Sequence, residues 1–195
     1  MKALVFHGIG NVKLKNVPEP VLLEDKDAII RITASSICGT DLHMVRGTMS
    51  GMKNGTILGH EAVGIVECIG PAVQKFKVGD RVVVCSTIAC GECVFCDIEE
   101  FASCEQANPI GPDAGTAFFG GPTGSGSFNG LQAEKARIPF ADTTLVKLPD
   151  SISDEDGLLL SDIFPTGFMG AEMADVQAGD AVAVFGCGPV GQMAI

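Results

Sequence analysis

Over the first 150 positions apolar and polar residues alternate in short runs, the period of strands rather than of helices. Residues 2–7 and 12–17 flank the turn Gly8-Ile9-Gly10-Asn11 and predict a hairpin. Further strands are predicted at 28–33 (AIIRIT), 62–69 (AVGIVECI), 81–85 (RVVVC), 131–138 and 144–148, with Gly79-Asp80 turning into the run at 81. Gly64, inside one of these runs, predicts a bend or a close backbone approach. Cys68 and Cys85 lie within the runs and read as small buried hydrophobes. Residues 107–130 are rich in Gly, Pro and Ser and read as a surface loop with Phe118 and Phe119 packing down. No strand feeds that loop and no helix follows it, so it lacks the setting of a phosphate-binding turn. Pro149 closes the β-rich part.

From Asp150 the pattern changes. Ser151 or Ser153 is placed to cap a helix that carries Asp154, Glu155 and Asp156 in its first turn and runs through 158–160. A second helix is predicted over 166–174, and Gly179-Asp180 then turns into an apolar strand at 181–185 (AVAVF). Gly186-Cys187-Gly188-Pro189-Val190-Gly191 follows, with a helix opening behind it. The fold class is therefore mainly β with some α. Residues 1–150 form a β-rich domain, and 151–195 hold linking helices and the first βα elements of a nucleotide-binding fold.

Composition narrows the classes. Of 195 residues 46% are hydrophobic, with a mean hydropathy of +0.33, which places the chain among globular proteins. Trp and Tyr are absent, so Phe supplies every aromatic anchor. The net charge of −11 argues against nucleic acid or an anionic membrane as partner, since both need a basic face. No apolar run approaches the roughly 18 residues of a membrane span, and the N-terminal MKALVFHG lacks the apolar core of a signal peptide. A cytoplasmic location is expected, and in a reducing compartment eight cysteines point to metal or free thiols ahead of disulfides.

Three constellations carry chemistry. Cys90, Cys93, Cys96 and Cys104 have the spacing C-x2-C-x2-C-x7-C, enough thiolates to close a tetrahedral zinc site with no open position. An iron–sulfur cluster is the rival reading of such tightly spaced thiolates. The second constellation is Cys38-Gly39-Thr40-Asp41-Leu42-His43 with Gly59-His60-Glu61, which supplies sulfur, nitrogen and oxygen donors for zinc. Adjacent residues on a strand point to opposite faces, which favours His60 as the permanent ligand and Glu61 as an exchanging or outer carboxylate. Thr40 and His43 offer a proton path. The third is G-x-G-x-x-G from Gly186 to Gly191, after an apolar run and before a helix, the context a dinucleotide fingerprint requires. The acidic residue expected about 20 positions further on lies beyond Ile195.

The order of these pieces, with Gly59-His60-Glu61-Ala62-Val63-Gly64 and Val78-Gly79-Asp80-Arg81-Val82, resembles the zinc-dependent alcohol dehydrogenases of the medium-chain dehydrogenase/reductase family over essentially the whole chain. The resemblance implies a GroES-like catalytic domain followed by the start of a Rossmann cofactor domain. It implies one catalytic zinc on Cys38 and His60, with Asp41 orienting His60 and Glu61 close enough to enter the coordination shell. A second, structural zinc is implied on Cys90, Cys93, Cys96 and Cys104. Thr40 would hydrogen-bond the alcohol, and His43 would pass its proton to solvent.

Where many members of the family have a third cysteine ligand, this chain reads Leu160-Ser161-Asp162, so Asp162 takes that place, as in the secondary-alcohol and formaldehyde-type branch. Thr166, Gly186, Gly188, Pro189, Val190 and Gly191 match cofactor-contacting positions for NAD or NADP. Ser86 stands where many relatives carry a bulky aromatic, which implies a wider pocket and a secondary or branched alcohol. The implied reaction is reversible hydride transfer between an alcohol and an aldehyde or ketone, in a parent that forms homo-oligomers. With only the first Rossmann elements included, these 195 residues are expected to be a truncated dehydrogenase that binds zinc and turns over little alcohol. The alternative is a non-catalytic, zinc-stabilised module derived from such an enzyme. A zinc-free quinone reductase of the same family would have no use for these ligands.

Overall fold

The computed structural model describes residues 1–108, 110 and 115–195. Strands β1 (Lys2–Phe6) and β2 (Val12–Asn16) form the hairpin, with Asn11 N–H closing the turn on the Gly8 carbonyl at 2.9 Å. The main sheet is antiparallel and has five strands in the order β6-β3-β4-β5-β7. These are β3 (Ala28–Ser35), β4 (Ala62–Ile69), β5 (Arg81–Val84), β6 (Lys135–Ile138) and β7 (Leu145–Lys147). Ile30, Val66, Val82 and Val84 project from it into a core shared with Ile88, Phe119, Leu131, Ile138 and all four clustered cysteines.

Gly64 sits where β4 crosses β3 most closely. A Cβ there would lie 2.5 Å from the Arg31 carbonyl oxygen, next to a register shift between Ile32 and Ala34. This is the close approach expected of a glycine within a strand.

Helices punctuate the sheet. Helix α1 (Gly39–Arg46) follows β3; α2 (Val94–Asp97) lies inside the cysteine lobe; α3 (Ala141–Thr144) joins β6 to β7. None of the three is predicted from the apolar pattern. Beyond β7 come α4 (Asp154–Leu159), α5 (Ile163–Met173) and α6 (Pro189–Met193). Ser153 caps α4, its hydroxyl accepting from Asp156 N–H at 3.0 Å. No helix among the described residues is long and apolar enough to cross a membrane.

Three expectations need correction. The run at 181–185 forms no strand, and Phe185 is 97% exposed. A buried parallel strand is defined by neighbours on both sides, and none of the named strands among the described residues pairs with this one. Cys68 is exposed rather than buried, because it lies on the outward face near the end of β4. The strand predicted over 131–138 begins only at Lys135, since Leu131 and Gln132 instead bond across to the Leu58–Gly59 segment. In the Gly-rich loop Phe119 is fully buried as expected, while residues 109 and 111–114 of that loop lie outside the described residues.

Candidate metal centres

Strand pairing assembles the first site. In the β3–β4 ladder Ser35 faces Ala62, so the chain leaving β3 and the chain entering β4 lie side by side at one end of the sheet. Cys38 follows three residues after Ser35, and His60-Glu61 come just before Ala62. β5 ends at the same edge, with Val84 opposite Ala62. Asp162, at the N-terminus of α5, comes to this edge from far along the chain. One ligand atom each from Cys38, His60, Glu61 and Asp162 falls within 4.8 Å of all the others.

The imidazole stands between two acids. His60 Nε2 is 3.4 Å from Asp162 Oδ2, and Nδ1 is 3.5 Å from Asp41 Oδ1. Asp41 is itself fixed: its Oδ2 accepts from Cys38 N–H at 2.9 Å and from Gln132 Nε2 at 3.1 Å. Phe118 meets the His60 ring edge-on, 5.9 Å between centroids. His60, Glu61 and Asp41 are all 5% exposed or less.

Glu61 Oε2 accepts from Ser36 Oγ, while Oε1 is buried with no partner. His60 and Glu61 lie ahead of β4 rather than in it, so the opposite-faces rule of a strand does not apply and both reach the same point. Asp162 occupies the cap position of α5 without capping it; its Oδ1 accepts from Thr166 Oγ1 at 3.0 Å and from Ser86 Oγ at 3.3 Å.

The electrostatics call for a cation. Burial works against a charged His60, but Asp162, Asp41 and Cys38 together outweigh it and push the imidazole up to about 12. Burial pushes the Glu61 carboxyl up, helped by Asp162 and Asp41 and opposed by His60. Sulfur, nitrogen and oxygen donors around one point, with Glu61 Oε1, Asp41 Oδ1 and His60 Nδ1 all buried without hydrogen-bond partners, fit a divalent zinc ion.

The helix that follows Cys38 carries the expected proton path. Thr40 is half-buried in its first turn and His43 is exposed one turn on. His43 Nδ1 lies 2.8 Å from Thr48 Oγ1; the structure shows no hydrogen bond between Thr40 and His43 among the described residues.

The second cluster is closed. Cys90, Cys93, Cys96 and Cys104 are all buried, with Sγ–Sγ separations of 3.6 Å (Cys93–Cys96), 3.8 Å (Cys90–Cys96) and 4.0 Å (Cys93–Cys104). A tetrahedron with metal–sulfur bonds of about 2.3 Å has edges of about 3.8 Å, whereas a disulfide needs about 2.05 Å. Backbone N–H groups of Cys90 and Ala107 aim at Cys104 Sγ at 3.2 and 3.4 Å, and Glu92 N–H aims at Cys90 Sγ at 3.4 Å. Burial pushes the Cys90 thiol up to about 12. At Cys93 burial is outweighed by the N–H groups of Cys96 and Glu105 and by neighbouring thiols, which bring it down to about 6. Cys93 gives up its proton readily while burial holds those of Cys90 and Cys96, the pattern of a set that ionises together around a cation.

The profile of the alcohol dehydrogenase GroES-like domain matches residues 24–150. The chain belongs to that family. It is 44% identical over its whole length to the zinc-type alcohol dehydrogenase-like protein AdhB of Bacillus subtilis, covering 51% of that protein. It is 38% identical over 97% of its length to a glutathione-independent formaldehyde dehydrogenase of Pseudomonas aeruginosa, covering 49% of it. Among solved structures it superposes on alcohol dehydrogenase TADH from Thermus sp. ATN1 with a TM-score of 0.90 and 38% identity, covering all of this chain and 53% of that one. The chain spans about half the length of the curated relatives it matches.

In this chain of the GroES-like family the Gly-rich turn opens a helix, but no strand among the described residues leads into it, so the setting expected of a dinucleotide fingerprint is incomplete. Gly186 has φ +104°, α6 opens with Pro189 in its first turn behind Gly188, and a Cβ on Gly191 would strike the Gly186 carbonyl. Val190 is exposed beside them.

Four site residues escaped the sequence reading: Ser36, Phe118, Gln132 and Ser161. Ser161 does the most. Its hydroxyl donates to the Val84 carbonyl at 2.5 Å and accepts from Ala62 N–H at 3.3 Å, stitching the residue before Asp162 to β4 and β5. These contacts span 77 and 99 positions, so no local pattern announces them. Ser161→Ala removes both hydrogen bonds and is expected to lower stability by about 1–3 kcal/mol; a urea midpoint equal to that of the parent would contradict this.

Proposed function

We propose that Cys38, His60 and Asp162, with Glu61 as an exchanging or outer carboxylate, hold a catalytic zinc, and that Cys90, Cys93, Cys96 and Cys104 hold a structural one. The activity proposed is interconversion of an alcohol with an aldehyde or ketone, by hydride transfer to or from NAD or NADP. One observation carries this reading: four donor residues from three separate stretches of chain bring ligand atoms to within 4.8 Å of one another.

Zinc held there supplies Lewis acidity that makes an alcohol hydroxyl easier to deprotonate, and the nicotinamide supplies the hydride acceptor. The protein's own groups do the rest. Asp41, held by Cys38 N–H and Gln132, fixes the ring of His60 and its tautomer, the usual service of a carboxylate behind a ligating histidine. Thr40 accepts the alcohol's hydrogen bond from the first turn of α1. His43, exposed with Nδ1 engaged by Thr48, hands the proton to water. Asp162 replaces a thiolate with a harder oxygen donor. Thr166 and the Gly186–Gly191 turn, with Gly188, Pro189 and Val190, contact the cofactor.

The crevice of a doubly wound sheet requires several paired βα units, and the run at 181–185 pairs with none of the named strands among the described residues. We therefore expect the 195-residue chain to bind zinc and to give little or no NAD(P)-dependent alcohol oxidation; turnover of small alcohols by it would overturn that expectation. The substrate class is tested separately: with cobalt in the Cys38 site, a small alcohol, aldehyde or ketone should perturb the visible spectrum. Silence from all three classes would count against the reading.

Zinc uptake at this site should also depend on pH. His60 is held protonated up to about 12 by its acidic partners, and that proton must leave when the ring ligates metal. Between the ordinary histidine range and that value, affinity should rise about tenfold per pH unit from this group alone. Before metal binds, the sign for folding is opposite: the raised value adds stability that is complete below about 6.5 and fades as pH climbs towards 12. A zinc affinity flat from pH 7 to pH 9 would contradict the first expectation.

A further inference from the structure

Ser86, just past the end of β5, and Asp162, at the start of α5, lie far apart in the chain, and the structure puts them in contact. Ser86 Oγ donates to Asp162 Oδ1 at 3.3 Å, and Thr166 Oγ1 donates to the same oxygen at 3.0 Å. The other oxygen, Oδ2, is the one that faces His60 Nε2. Ser86 is itself fixed by its backbone, whose N–H donates to the Ser161 carbonyl at 3.1 Å.

We propose that Ser86 and Thr166 clamp Oδ1 of Asp162 so that the carboxylate meets the metal through Oδ2 alone, which makes Ser86 a positioning residue of the metal centre. The proposal rests on the reading of Asp162 as a zinc ligand.

The argument is one of valence. A thiolate offers zinc a single atom, whereas a carboxylate offers two, and an unrestrained one is free to chelate. Chelation takes up coordination space that a catalytic zinc keeps for its fourth, exchangeable ligand. A carboxylate oxygen has about two lone-pair positions for hydrogen bonds, and two hydroxyl donors occupy both on Oδ1. An aromatic side chain at position 86 has no donor to give, and a cysteine at position 162 would need none. Ser86 thus does more than widen the pocket.

The test uses the 195-residue chain with its four-cysteine site already filled with zinc, cobalt or zinc being then added to the other site. Ser86→Ala and Thr166→Val should each weaken metal binding there about tenfold, the low end of what loss of a partner to a ligand does. Each should also weaken the visible cobalt absorption, as four-coordinate metal gives way to five. Ser86→Thr, which keeps a hydroxyl, should restore both readings. In an Asp162→Asn background Ser86→Ala should change nothing further. Thr166 is exposed on α5, so its variant reports even if Ser86→Ala disturbs folding. Unchanged affinity and spectrum in both hydroxyl variants, beside a clear loss in Asp162→Asn, overturns the clamp and spares the ligand assignment. Unchanged affinity in Asp162→Asn overturns the assignment itself, and the clamp with it.

Discussion

Replacing Cys104 with serine is expected to release one zinc and to cost the chain more than about 4 kcal/mol of stability, the range reached when a structural metal is lost. Cys104 is 1% exposed and collects two backbone N–H groups, from Cys90 and Ala107. A serine hydroxyl is a poor substitute for a thiolate on zinc. Without the metal, the remaining buried thiols are mismatched: burial holds the protons of Cys90 and Cys96, while at Cys93 burial is outweighed by neighbouring N–H groups and thiols, which draw it down. The damage spreads because the four sulfurs belong to the same core as Ile30, Val82, Val84 and Phe119. The lobe is no appendage to the sheet. Metal analysis and urea unfolding check this together; a Cys104→Ser chain with full metal content and an unshifted midpoint would refute it.

The contrast with Cys38→Ser is the second large expectation. This variant should also lose a single zinc, yet keep its fold. Cys38 is only half-buried, it precedes a helix whose N–H contact to Asp41 comes from the backbone, and serine preserves that contact. His60 remains wedged between buried Asp41 and half-buried Asp162, so both acids keep their imidazole partner. Loss of stability should stay below about 1–2 kcal/mol, the ordinary range of a single substitution. Circular dichroism with thermal melting decides the matter. Unfolding on Cys38→Ser would mean that the division into a structural and a catalytic centre is wrong.

Much of this was legible without coordinates, for reasons that differ by element. Strands such as β4, found over Ala62–Ile69 where the apolar run predicts it, carry their own pattern because one face or both are buried. The Gly64 approach and the Ser153 cap follow from single residues with few alternative uses. The cysteine lobe is legible because closely spaced thiols have few ways to be satisfied. What failed depends on neighbours. The run at 181–185 has strand composition but no partner strand here, and composition alone does not pair a backbone. Helices α2 and α3 span four residues each, too few for a helical period to show. Helix α1 buries only Asp41 and Met44, so it lacks an apolar stripe.

At the candidate site the four residues that cluster, Cys38, His60, Glu61 and Asp162, are readable from their donor chemistry and from the family resemblance. The residues that aim them were not. Ser36, Gln132 and Ser161 act through hydrogen bonds to groups 25 to 99 positions away, and each looks like an ordinary polar residue in sequence; Ser86 stands out in sequence for pocket width, not for its bond to Asp162. The opposite-faces rule fails for Glu61 because it lies outside the strand; from the coil ahead of β4 it reaches the cluster beside His60. Its Oε1 is buried there without a hydrogen-bond partner.

The central claim is that this chain contains two separate zinc centres, one on four cysteines and one on Cys38, His60 and Asp162 with Glu61 at hand. The most direct test is the zinc content of the purified chain, measured alongside the Cys38→Ser variant after removal of loosely held metal. The account predicts about two zinc ions per chain, falling to about one in the variant with the cysteine lobe intact. About one ion per chain, unchanged by Cys38→Ser, would contradict it and leave only a zinc-stabilised module.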